Sequence, residues 1–342
     1  MKKEITGIIQ NIHQTKTGRK PEPEEISLLM YASRNADINF IFINGSTFPH
    51  YVIKSSRNDG LKQQLRNEYD FLLKIYTGTG ALLKNSVPEP LAEGILNNSY
   101  YVIQSAVNGM SLNEYLWKQK NSKPKIERLF AQVTEWLVGL HACGDVSFPG
   151  VEELVGHDYI AGSLERFRQQ HGLLLEEKRL ISHIFEKCTS LTGIGIPLGQ
   201  RHGDFSPWNI RFNGRNDKMF VLDWEYADTS GMPITDLLNF FVVSQPVLSG
   251  YEKAGENKGS GGSFSRYLNI PLPELQDFQK AFYDDTWQAR LMQKCIVRYC
   301  EEVGIDTRLL DILFLVFILD HLYRKKDFLT FFLQNGVPSS LK

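Results

Sequence analysis

Three short runs rich in Ile, Phe, Tyr and Val, at Ile26 to Tyr31, Asn39 to Asn44 and His50 to Lys54, read as strands. Asn44-Gly45 supplies a hairpin signal between the last two, so the runs predict a small antiparallel sheet. Leu65, Tyr69, Leu72 and Leu73 then fall at helical spacing within Leu61 to Tyr76, and Tyr100 to Gln104 returns to strand composition after the Pro88/Pro90 turn. A first lobe of strands, one helix and further strands follows from this order. The segment ahead of it, Met1-Lys2-Lys3-Glu4 and then polar Gln10 to Lys20, holds no apolar stretch of the kind a signal peptide needs.

After Asn108-Gly109 the period changes. Ile126, Leu129, Phe130, Val133, Trp136, Leu137 and Leu140 recur at helical spacing, with Pro124 suited to a first turn. Further helical pattern covers Leu164 to Lys187 and Leu275 to the end. Two strand-like runs around Asn213-Gly214 interrupt it between Asn209 and Trp224. The apolar run Ile312 to Leu319, bounded by Asp311 and Asp320, is far short of the ~20 residues a membrane span needs and predicts a buried helix. The Gly- and Ser-rich stretch Gly255 to Ser263 predicts a mobile loop, and no internal repeat is present. The pattern thus predicts an α+β chain: residues 1–107 form a sheet-bearing lobe, and residues 108–342 a mostly helical one.

Composition narrows the class. A chain of 342 residues with 42% hydrophobic content has room for about two domains with sizeable cores. Lys plus Arg number 38 against 39 Asp plus Glu, so no global positive field favours nucleic acid as a partner. The four cysteines, Cys143, Cys188, Cys295 and Cys300, show no CxxC pairing, which points to reduced thiols in a cytoplasmic protein.

The chemistry concentrates in Arg201-His202-Gly203-Asp204-Phe205-Ser206-Pro207-Trp208-Asn209, which has the spacing H-x-D-x-x-x-x-N. A phosphoryl acceptor hydroxyl needs one carboxylate, Asp204, to orient it and take its proton. Five residues on, the amide oxygen of Asn209 can reach a magnesium ion held against phosphates. The apolar run Met219-Phe220-Val221-Leu222 then delivers Asp223, a hard carboxylate of the type Mg2+ prefers. Upstream, Tyr51-Val52-Ile53-Lys54 resembles the strand whose Lys contacts the α- and β-phosphates in kinases, and Glu68 on the next helix can pair with it. Four elements stand in chain order.

On the segments HGDFSPWNI and VLDWEYA the chain resembles the aminoglycoside phosphotransferase and choline kinase family of protein-kinase-like small-molecule kinases, over residues 26 to 335. The resemblance implies a two-lobe fold with ATP in the cleft, Asp204 as catalytic base, and Asn209 and Asp223 as magnesium ligands. It also implies that Lys54 binds phosphate, that Glu68 orients Lys54, and that His202 braces the loop. Gln104 to Val107 would be the hinge, with the Ser105 carbonyl and Val107 amide meeting adenine.

Two departures from protein kinases disfavour a protein substrate: no Ala-Pro-Glu follows Asp223, and a long segment separates Leu140-His141 from the catalytic loop. The expected acceptor is a small-molecule hydroxyl: an amino sugar, an amino alcohol such as choline, or a sugar. No glycine stands in Ser33 to Asn39, where a glycine-rich loop would lie, so Ser33, Arg34 and Asn35 are the candidates for phosphate contacts. Residues 225 to 342 hold 15 Asp plus Glu against 12 Lys plus Arg, a weak attraction for a polycation. Trp208, Trp224, Trp287, Tyr299 and Tyr323 are available for a cation–π cage, and Asp284, Asp285, Glu301 and Glu302 for an acceptor amine. The competing class is a nucleotide-binding pseudokinase or regulatory module, because fold does not fix function.

Overall fold

The computed structural model describes residues 2–32, 36–78, 81–151, 153, 158–214, 217–249, 275–321 and 326–341. The chain packs as two units: Met1–Ser111 with Asn209–Ala227, and Leu112–Trp208 with Asp228–Lys342. The boundary drawn from the sequence lies between Val107 and Asn108. The packing groups Asn108–Ser111, together with Asn209–Ala227, with the sheet.

In the first unit, β1 (Ile26–Ala32), β2 (Asp37–Ile43), β3 (Tyr51–Ser56), β4 (Pro90–Leu96) and β5 (Ser99–Ser105) form an antiparallel sheet in the order β1-β2-β3-β5-β4. Asn44 and Gly45 both take positive φ, 55° and 65°, as a turn of this composition demands. Ile41 is nonetheless paired with Tyr51, so the turn opens a longer loop rather than a two-residue hairpin. The first helix, α1 (Lys2–Thr17), occupies a segment for which the pattern predicts no element. Its Ile5, Ile8, Ile9 and Ile12 sit at helical spacing and pack on a cluster of Ile26, Ile41, Ile43, Tyr51, Ile53 and Ile103.

The two-residue period of the strands divides the sheet's faces. Ile103 of β5 faces the α1 cluster, whereas Tyr100 and Val102 pack with Leu65 of α2 (Asp59–Gly78). By the same alternation Tyr51 and Ile53 belong to the α1 face, and Lys54 to the α2 face. After the short α3 (Ala81–Lys84), Met110–Ser111 pairs with Ile210–Asn213, which pairs with Lys218–Val221 in the predicted hairpin. Gly109 precedes this small sheet because a Cβ there would stand 3.0 Å from the Phe212 carbonyl oxygen. The Val221 N–H donates to the Ser86 carbonyl at 2.8 Å and ties the hairpin into the unit.

The second unit carries α4 (Leu112–Gln119), α5 (Lys123–His141), α6 (Asp158–His171), α7 (Leu175–Thr189), α8 (Ile234–Leu248), α9 (Leu275–Phe282), α10 (Trp287–Val303), α11 (Leu310–His321) and α12 (Lys326–Asn335). A short antiparallel pair joins Gly199–Arg201 to Asp228–Gly231. The pattern from Leu164 to Lys187 is two helices, broken where Gly172 takes φ 66°. Helix α8 escapes the periodicity analysis for a physical reason: all 15 of its residues are buried, so no polar face alternates with an apolar one. Helix α11 is the buried helix expected from the Ile312 to Leu319 run. Among the described residues no helix is long and apolar enough to cross a membrane. The stretch Gly255 to Ser263 lies outside the described residues.

Candidate active site

Lys54 projects from β3 toward α2, and Glu68 lies on the buried stripe of that helix with Leu65, Leu72 and Ile75. The Lys54 Nζ donates to both Glu68 carboxylate oxygens, at 2.8 and 2.9 Å, and also to the Asp223 carboxylate. One cation thus bridges two acids 14 and 169 residues away in sequence. Glu68 is 1% exposed as a side chain and Asp223 47%, so one acid is locked in the interior while the other faces solvent. Burial works to lower the Lys54 pKa, but Asp223 and Glu68 outweigh it and hold the ammonium charged, well above the usual lysine range. For Glu68, burial raises the carboxyl pKa and Lys54 opposes that rise.

Asp223 is placed by its neighbours. The Leu222 N–H donates to the Asn209 carbonyl at 2.7 Å, drawing the start of the hairpin beside its end. Trp224 is fully buried, its indole N–H donating to Val221 at 3.1 Å and its ring stacked on Phe71 of α2 at 5.4 Å. Between these anchors Asp223 takes φ 59°, a left-handed conformation that costs an L residue about 1–2 kcal/mol. Asn67, next to Glu68, secures the segment beyond, donating to the carbonyls of Glu225 and Ala227 at 3.1 and 2.9 Å. Asn67 was not singled out from the sequence, where it reads as an ordinary polar residue of an amphipathic helix.

In the second unit the segment His202–Phe205 is held from below by α8. The Asp236 carboxylate accepts the backbone N–H of His202 at 2.6 Å and of Gly203 at 3.0 Å. One turn on, the Asn239 amide donates to the Phe205 carbonyl at 3.2 Å. Gly203 takes φ 79°, which lets two successive N–H groups face one carboxylate, and His202 Nδ1 accepts the Asp204 N–H at 3.3 Å. Phe205 seals the loop into the core, stacked on Trp136 at 5.4 Å and beside Phe240 at 5.8 Å.

Behind Asp236, His141 Nε2 lies at 3.6 Å, and His141 Nδ1 is hydrogen-bonded to the Tyr299 hydroxyl. Burial pushes the His141 imidazole below its usual pKa, against the pull of Asp236. Burial acts to raise Asp236, but His141, His202 and the loop N–H groups keep it in the ionised range. Asp236 also went unnoticed in the sequence, because only the fold brings it to a loop 33 residues earlier.

Ser105 ends β5, its N–H donating to the Glu89 carbonyl and its hydroxyl accepting the Glu89 N–H, at 2.9 and 2.8 Å. Val107 follows outside any strand, after Ala106 donates to the His50 carbonyl at 2.9 Å. Ser33, Arg34, Asn35 and Tyr323 lie outside the described residues. Trp224 and Tyr299 are fully buried, which assigns both rings to the core rather than to a cage. Asp284, Asp285, Glu301 and Glu302 are exposed.

The family profile described as the Phosphotransferase enzyme family matches residues 34–258, about two thirds of the chain. The chain belongs to that family. No curated protein matches it. Among solved structures it is similar to a thermostable mutant of aminoglycoside phosphotransferase APH(4)-Ia in ternary complex with AMP-PNP and hygromycin B. That similarity has 12% identity, covers 96% of this chain and 98% of the other, and has a TM-score of 0.47. An aminoglycoside-3'-phosphotransferase of type VIII gives 14% identity over 86% of this chain and 99% of that one, at a TM-score of 0.41. The aminoglycoside phosphotransferase APH(3'')-Id from Streptomyces rimosus gives 12% identity over 85% and 98%, at 0.39.

Proposed function

We propose that this member of the family transfers the γ-phosphoryl group of ATP to a hydroxyl of a small molecule. The observation that carries the proposal is Lys54, buried and charged between Glu68 and Asp223. A lysine kept ionised in the interior, gripped by one buried carboxylate, is a phosphate contact with its position fixed in advance. Asp223 and Asn209 offer hard oxygen donors at the two ends of one hairpin, drawn together by the Leu222 to Asn209 hydrogen bond. Such a set suits Mg2+, which takes one or two protein carboxylates and completes its shell with water and phosphate oxygens. When bound, the ion offsets the negative charge of the phosphates.

In this reading Asp204 orients the acceptor hydroxyl and takes its proton as the oxygen bonds to phosphorus and ADP leaves. Asp236 holds the backbone N–H groups just before Asp204, His202 that of Asp204 itself and Asn239 the carbonyl just after it, so the carboxylate is aimed before substrate arrives. The Ser105 carbonyl and Val107 amide are assigned to adenine, and Ser33, Arg34 and Asn35 to the phosphates. The acceptor classes carried forward are amino sugars, amino alcohols and sugars, and a cytoplasmic location goes with them.

The test separates the base from the metal ligands. Asp204→Asn should lower kcat by about 10²- to 10⁴-fold with ATP affinity nearly unchanged. Asp223→Asn should damage both ATP binding and turnover, and Lys54→Ala should fall between them. Calorimetry with ATP and magnesium, beside turnover against a panel of aminoglycosides, choline, ethanolamine and sugars, reads all three. Nucleotide binding without turnover on any acceptor would favour the pseudokinase class. Loss of ATP binding in Asp204→Asn with Asp223→Asn intact would refute the assignment of roles.

A further inference from the structure

The helical unit contains a groove between α5 and α10 with a volume of about 570 Å³, within the size range of small-molecule sites. Its walls carry Lys123, Arg290, Lys294 and Arg298 against one acid, Glu127, with Trp287 at one end. None of these residues takes part in the chemistry assigned above. We infer that this groove binds the linear polyphosphate group of a small molecule.

Ala289, Met292, Cys295, Ile296, Tyr299 and Cys300 form the buried face of α10, so the cations occupy the face that packing leaves open. Arg290, Lys294 and Arg298 follow one another at four-residue intervals, each about 6 Å further along the axis, and together make a row of about 12 Å. Like charges at this spacing destabilise an isolated helix by about 0.2–0.5 kcal/mol per pair, a local conflict that an anion in the groove would relieve.

Acids beside the row neutralise it only weakly. Arg290 meets Asp285 at 3.3 Å and Arg298 meets Glu302 at 3.7 Å, while Lys123 meets Glu127 at 3.8 Å. All three are exposed pairs of the kind worth little in water. Lys294 makes no ion pair among the described residues. The whole chain has a net charge of −1, so the concentration of positive charge in one concavity is local, and concave walls focus such a field.

Shape selects among anions. A single oxyanion spans one or two of the cations, whereas a row of three with a fourth across the groove matches a chain of phosphates. Both helices also begin at this groove, α5 at Lys123 and α10 at Trp287, and their first turns add to the positive potential.

Sodium tripolyphosphate, titrated into the full chain in the presence of EDTA, tests the inference by calorimetry and tryptophan emission. Saturable binding is expected, weakening as salt rises from about 50 to about 300 mM because the cations are exposed. The double variant Arg290→Gln/Lys294→Gln should bind about tenfold more weakly or worse, and Glu127→Gln should bind more tightly. The opposite sign of the second change cannot come from misfolding. Trp287→Phe should abolish the emission change while the heat remains. Lys54→Met should retain the groove's binding, which separates this site from the proposed nucleotide site. Absence of binding to the wild type would overturn the inference. So would binding that is lost in Lys54→Met yet unmoved in Arg290→Gln/Lys294→Gln.

Discussion

Replacing Lys54 by Met removes the one cation between two carboxylates, and the structure sets a ceiling on what that costs. Glu68 is 1% exposed and loses both of its short hydrogen bonds, whereas Asp223, at 47%, can turn to water. The penalty therefore falls on Glu68. Leaving a buried charge unpaired costs about 3–5 kcal/mol, but Glu68 can escape by taking a proton. Protonating a carboxyl of ordinary pKa costs about 4 kcal/mol at pH 7.5 and about 1.6 kcal/mol at pH 5.5, at 1.36 kcal/mol per unit.

The direction follows from linkage. In the variant the folded chain binds a proton that the unfolded chain lacks, so the contribution to stability is present below the usual carboxyl pKa and is lost as pH rises. Lys54→Met should thus be destabilised by up to about 4 kcal/mol at pH 7.5 and should recover about 2.4 kcal/mol of that by pH 5.5. Adding Glu68→Gln should restore much of the loss at pH 7.5 and flatten the pH dependence. Urea denaturation at the two pH values, followed by circular dichroism, reads all of this. A Lys54→Met chain as stable as wild type at pH 7.5, or one whose deficit grows on acidification, would show that Glu68 is not held as a buried partner of the lysine.

Three further changes probe the loop and the network beneath it. Gly203→Ala forces a side chain into φ 79° and should cost about 1–2 kcal/mol in thermal unfolding. Asp236→Asn leaves one acceptor oxygen for two loop N–H groups, so about 1–3 kcal/mol should be lost, and kcat should fall while ATP affinity holds. His141, which burial holds neutral, gives the fold a stability that is lost as pH falls below the unfolded imidazole value, because only the unfolded chain then takes the proton. Between pH 7 and 5, His141→Gln should reduce the slope of stability against pH by up to about 1.4 kcal/mol per unit, with His13 and His321, shifted the same way, supplying the remainder.

What could be read in the sequence and what could not divides along one physical line. Strands β1, β2, β3 and β5 were legible because β-branched and aromatic runs between turn residues have few other uses, and α5 because one of its faces is wet. Helix α1 carried the same signal in Ile5, Ile8, Ile9 and Ile12, but a polar majority around those four residues hid it. Helix α8 carried none, since a helix buried on every side has no period to detect.

The candidate site follows the same division. Asp204, Asn209 and Asp223 lie within one stretch of chain whose spacing is itself the signal, and Lys54 with Glu68 stands out because a lysine on β3 and a glutamate on the next helix are near in the chain and precede that stretch in order. Asp236 and Asn67 hold backbone atoms of distant segments, and such contacts impose no pattern on the residues around them. The basic row of α10 is intermediate. Its four-residue rhythm stands in the sequence as that of any solvated helix, and it becomes a concavity only because α5 lies alongside with Lys123 and Glu127 facing it. A residue's own chemistry is legible wherever its partners are near in sequence. Where the partner is a backbone group or a second helix far along the chain, the fold has to be known before the residue has a function to read.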